Sequence, residues 1–146
     1  MKLLFALLAL VLGLSSANAQ GPQKLCFTTN GNNCVPGLQA SNSVAISVAA
    51  ATTTQLVALS TGKSIFVTSF DVIANGTLNV TFVYGTGTNC GSGTTSLTGA
   101  YPLIAQAGIA KGNGTGAILF VPAGRALCVT TSGASQTSGS VSYVQF

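Results

Sequence analysis

From Val44 onward, apolar and polar residues alternate in short runs separated by clusters of Gly, Asn, Ser and Thr. Alternation of this kind puts successive side chains on opposite faces of an extended strand. The runs predict strands at Val44–Ala50, Gln55–Ser60, Ser64–Ile73, Thr77–Tyr84, Gly116–Val121, Ala126–Thr131 and Gly139–Phe146. In the fourth run Leu78, Val80, Phe82 and Tyr84 share one face, and Thr77, Asn79, Thr81 and Val83 the other. Phe66, Phe70 and Val72 give the third run a similar apolar face. The Asn75-Gly76 step between these two runs tolerates positive φ at both residues, so a type I′ hairpin is expected there. Pro122-Ala123-Gly124 reads as a second tight connection, and Gly112-Asn113-Gly114-Thr115-Gly116 as a further hairpin loop.

Apolar residues do not recur at helical spacing, and 18 Gly interrupt most windows of helical length. Only Ala105–Ala110 has the composition for a single helical turn. The expected architecture is all-β: one antiparallel β-sandwich over residues 44–146, jelly-roll-like, preceded by an N-terminal arm at 20–43.

The first residues follow a different pattern. Met1-Lys2 precedes an unbroken apolar run from Leu3 to Leu14, followed by Ser15-Ser16-Ala17-Asn18-Ala19. A basic start, an apolar stretch and a small-residue exit make a secretory signal peptide, with cleavage expected before Gln20. The run is shorter than the roughly 18–20 residues that cross a bilayer. The expected location is therefore outside the cytoplasm, secreted into the extracellular space or periplasm. No transmembrane segment is expected in the mature chain.

Export changes the meaning of Cys26, Cys34, Cys90 and Cys128. An even number of cysteines in an oxidising compartment argues for disulfides. The expected pairs are Cys26–Cys34, across the turn-prone Thr28–Asn33, and Cys90–Cys128, joining a Gly-rich loop to a strand. A zinc site fits poorly, because no C-x-x-C pair is present.

Composition removes most catalytic classes. The chain of 146 residues has no His, and its Asp and Glu together number 1. There is no carboxylate pair, no His-based triad and no His or carboxylate metal cage to assemble. Without the leader, Lys24, Lys63, Lys111 and Arg125 stand against Asp71, too few cations for a nucleic-acid groove. Gly62-Lys63-Ser64 lacks the first glycine of a phosphate-binding loop, since position 57 is Val57. Ser60-Thr61-Gly62-Lys63 matches the serine–lysine spacing of penicillin-recognising enzymes, but it is Gly-interrupted and flanked by strands. Asp71 is assigned a structural role, as one ion pair or a hydrogen-bonded turn partner, with Arg125 or Lys63 as the candidate partners. An enzyme would need Asp71, Lys63 and Arg125 in one cleft. Asn75-Gly76-Thr77, Asn79-Val80-Thr81 and Asn113-Gly114-Thr115 satisfy the N-glycosylation triplet, which matters only in a glycosylating host.

Four stretches together resemble a known class. They are Gly85–Cys90, Leu97–Leu103, Val121–Ser132 with its Pro-Ala-Gly turn, and the strand-like Gly139–Phe146. They are similar to small jelly-roll modules of bacteriophage structural proteins, of decoration and fibre type, and to exported proteins of environmental bacteria. Low charge, a composition rich in Gly, Thr, Ser and Asn, disulfide stapling and absent catalytic groups imply a non-enzymatic structural or adhesive role at a cell or virion surface, with no cofactor. Low charge favours self-association, with an exposed edge expected at Val141–Phe146. The alternative is a secreted carbohydrate or cell-wall binding module that uses Tyr84 and Tyr101 as surface contacts.

Overall fold

The computed structural model describes residues 38–112 and 116–146. Ten strands fill them: β1 Asn42–Val48, β2 Thr53–Val57, β3 Ile65–Ala74, β4 Leu78–Thr86, β5 Ser92–Ser96, β6 Tyr101–Leu103, β7 Gly108–Gly112, β8 Leu119–Val121, β9 Ala126–Thr131 and β10 Thr137–Gln145. A single 3-10 turn, Thr88–Cys90, follows β4. The strands make two antiparallel sheets that pack as a sandwich. Sheet one runs β1-β10-β3, with β7 and β8 lying end to end along the far side of β3. Sheet two runs β2-β9-β4, with β5 and β6 along the far side of β4.

The pairing is nested. β1 pairs with β10, β2 with β9, β3 with β7 and β8, and β4 with β5 and β6. The chain behaves as one long hairpin folded over on itself, and its successive arms alternate between the layers.

Alternation in the sequence produces this packing directly. β3 turns Ile65, Val67, Phe70, Val72 and Ala74 inward, and β4 turns Leu78, Val80 and Phe82 inward; all are buried. Phe70 and Phe82 meet across the layers at 4.5 Å between ring centroids. Burial of each such side chain contributes on the order of 1.5–3 kcal/mol.

The Asn75-Gly76 step does not make a hairpin. β3 and β4 belong to different sheets, and neither Asn75 nor Gly76 adopts positive φ. The Asn-Gly signal marks a reversal between two alternating strands. Here their apolar faces meet across the core, so the reversal arches between layers instead of pairing neighbours. Pro122-Ala123-Gly124 is tight as expected: the Arg125 N–H donates to the Pro122 carbonyl, and Gly124 takes φ +72. It too crosses between layers, from β8 to β9. The centre of the loop expected at Gly112–Gly116 lies outside the described residues; β7 and β8 on either side of it each pair with β3.

Phe66 leaves the face assigned to it. The β3–β10 register slips between Ser142 and Tyr143 opposite Thr68, which reverses the parity of the strand. Thr68 is buried and its hydroxyl donates to the Ser142 carbonyl. Phe66 therefore points outward, stacked on Phe146 at 4.8 Å and tilted against Phe120 at 5.1 Å. Ala105–Ala110 is no helical turn, since β7 begins at Gly108. No helix among the described residues is long and apolar enough to cross a membrane.

Candidate functional site

Of the two expected disulfides, Cys90–Cys128 is formed. Cys26 and Cys34, like the leader and most of the arm, lie outside the described residues. The bond ties the 3-10 turn to the outer face of sheet two, where Cys90 and Cys128 bury against Val83 and Ala126. Gly85 makes the approach possible: a Cβ there would lie 2.9 Å from the Cys90 Cβ and carbonyl oxygen. The Asn89 side-chain carbonyl accepts the Gln55 N–H at 3.1 Å, and the Thr53 and Thr130 hydroxyls pair at 2.8 Å.

Asp71 and Arg125 do not form the expected ion pair. The Gly124 N–H donates to the Lys63 carbonyl, so Lys63 and Arg125 share the end of the sandwich where β3 begins. Asp71 lies six residues further along the strand than Ile65, about 20 Å away at the rise of an extended chain. A guanidinium cannot span that distance. The terminal nitrogen of Arg125 lies instead against Gly93 of β5, 3.0 Å from where a Cβ would sit. The Asp71 carboxylate accepts a hydrogen bond from the Ser140 hydroxyl on the neighbouring strand. The cleft an enzyme would need, with Asp71, Lys63 and Arg125 together, is not assembled.

Tyr84, Tyr101 and Tyr143 are partly buried and pack against the core. The Tyr101 ring has Phe70 beside it and the Lys111 ammonium over it, 5.0 Å from the centroid. Neither Tyr84 nor Tyr101 is a free platform for stacking a sugar. Among the described residues the exposed aromatic rings are Phe120 and Phe146, at 50% and 45% exposure.

What the register does assemble is the outer face of sheet one. Three cross-strand rows run over it from β1 to β7. The first is Ser43, Ser142, Ser69 and Gly112; the second is Ala45, Ser140, Asp71 and Ala110; the third is Ser47, Ser138, Ile73 and Gly108. Every position except Asp71 and Ile73 is Ser, Ala or Gly. Such side chains project little, so the surface is flat and hydroxylated, with one carboxylate at its middle. At its β7 border an open groove of about 270 Å³ is lined by Asp71, Ile73, Gln106 and Gly108, among others. Among the described residues no group of three or more His, Cys, Asp or Glu gathers into a metal site.

The sequence reading did not single out these serines. The signal for them was present in Ser138-Gly139-Ser140-Val141-Ser142, where serine holds every second position. Only the register puts Ser43 and Ser47 in line with them.

The chain matches no family model, and neither the curated proteins nor the solved structures give a match to it.

Proposed function

We propose that this chain is an exported, non-enzymatic jelly roll that serves a structural or adhesive role at a cell or virion surface and attaches through the outer face of sheet one. The observation that carries this reading is the three-row face of Ser, Ala and Gly around Asp71. Away from the groove at its β7 border and the exposed Ile73, these small side chains leave little relief and can lie closely against another flat surface. There their hydroxyls exchange water for a partner's hydrogen-bonding groups. The nested pairing of first strand with last, and second with next-to-last, supports the jelly-roll assignment and with it the resemblance to phage decoration and fibre modules. The leader supports export, and the Cys90–Cys128 bond belongs with an oxidising compartment.

The test is retention. The tagged full chain is expressed in a secreting host, and cytosol, surface and medium are assayed for it. Surface retention is expected for the native chain and loss to the medium for the Ser140→Arg, Ser142→Arg variant, whose long side chains break the flat face. Equal retention of both chains, or recovery from cytosol with the leader intact, overturns the reading.

A further inference from the structure

A strand at the edge of a sheet presents a row of N–H and C=O groups to any chain that can pair with them, and natural proteins blunt such edges. Of the expected exposed edge at Val141–Phe146, Val141–Tyr143 lie inside sheet one between β1 and β3, whereas Val144 and Gln145 pair with β3 alone. The real edges differ sharply. β7 carries Lys111 and ends at Gly112 with φ +85. β6 and β8 have 3 residues each, and the middle residue of β6 is Pro102. β5 loses register against β4 between Tyr84 and Thr86, and Arg125 lies over its Gly93. β2 loses register between Gln55 and Val57, and its Gln55 N–H is taken by Asn89.

β1 has none of these devices. Its 7 residues, Asn42 to Val48, hold continuous register with β10 and include no charge and no proline. None of them adopts positive φ.

We infer that β1 is a self-pairing edge, at which two copies of this chain join antiparallel into one continuous sheet. The strand is nearly palindromic in character. A two-fold axis through Ala45 sets Ser43 against Ser47 and Val44 against Ile46, with Asn42 against Val48. Hydroxyl meets hydroxyl on the outer side, and β-branched side chain meets β-branched side chain on the inner side, where such pairs stabilise a ladder. No like charges oppose each other. That pattern is what an isologous interface requires, and it favours a second copy over a foreign strand. The joined sheets carry the serine rows across both copies. Main-chain hydrogen bonds and small side chains bury less than a standard interface, so association is reversible and depends on concentration.

This inference rests on the edges alone and not on the adhesive role. It is tested on the mature secreted chain by sedimentation equilibrium over a concentration series and by amide hydrogen exchange of β1. The native chain is expected to shift from monomer to dimer, with β1 protection rising in step. The Ser43→Lys, Ala45→Lys variant, altered at exposed positions, is expected to stay monomeric with an unchanged thermal melt. A native chain monomeric at every concentration overturns the inference, as does a variant that dimerises equally well. So does β1 protection independent of concentration, which would mean that another part of the same chain holds the edge. A monomer still retained at the surface defeats this inference alone, and a dimer released to the medium defeats only the adhesive reading.

Discussion

The outer faces of the two sheets are finished in opposite ways. Sheet two turns Val83, Ala126 and Cys128 outward, and the chain covers them itself with the disulfide-tethered turn through Cys90. Sheet one turns outward three rows of Ser, Ala and Gly that include Asp71 and Ile73, with Phe66 and Phe120 at its other end, and among the described residues no strand covers the rows. Apolar groups on a sheet exterior demand burial, and here a local turn supplies it. Small hydroxylated groups make no such demand. The difference teaches that the covered face serves stability, while the uncovered rows are where we propose contact.

Four measurements sharpen or break this contrast. The largest effect is expected on the covered face. Replacing both Cys90 and Cys128 with Ala releases a closure of sequence separation 38. It is expected to cost about 3–4 kcal/mol in denaturant unfolding, by the loop-entropy argument. Next is Gly85→Ala on the same face. The added methyl would press on the Cys90 turn, and a loss of about 1–3 kcal/mol is expected from the same unfolding curves. Third is Thr68→Val, beneath the open face. The variant loses the hydroxyl that satisfies the Ser142 carbonyl at the bulge, and about 1 kcal/mol is expected to go with it. The smallest effect belongs to the open face itself. Ser138→Ala together with Ser142→Ala is expected to shift stability by less than about 0.5 kcal/mol per site. A melt lowered as far by these serines as by the cysteines would end the distinction between the two faces.

Legibility followed side-chain chemistry. Long strands with an apolar face could be read from the chain: Ala126–Thr131 matches β9 residue for residue, and the ends of the third run fall within one residue of β3. β5, β6 and β7 could not. Ser92–Ser96 is exposed throughout, and its extended form comes from the ladder with β4, not from any alternation of its own. Gly108–Gly112 likewise owes its conformation to β3. At the candidate site, the Cys90–Cys128 pair was accessible to reasoning from compartment and turn composition. The three-row face was not, because it joins residues from strands far apart in sequence. Asp71 stands out in the sequence by its charge, which suggests a cation as partner, but the register sets the Ser140 hydroxyl of the neighbouring strand against it.

Taken alone, the amino-acid order determined where the long strands extend, which of their sides are apolar, and that one Gly-rich loop and one strand would be bridged through sulfur. Those properties depend on each residue and its near neighbours. The tertiary structure alone decided which strands share a layer: β3 and β4, adjacent in sequence, went to opposite sheets, while β1 and β10 became partners. A period of two says that one side of a strand must be hidden, but not which other strand hides it. That choice is made only when all the apolar faces close on one core. The same closure placed the serines in rows and, among the described residues, left β1 at the edge of its sheet.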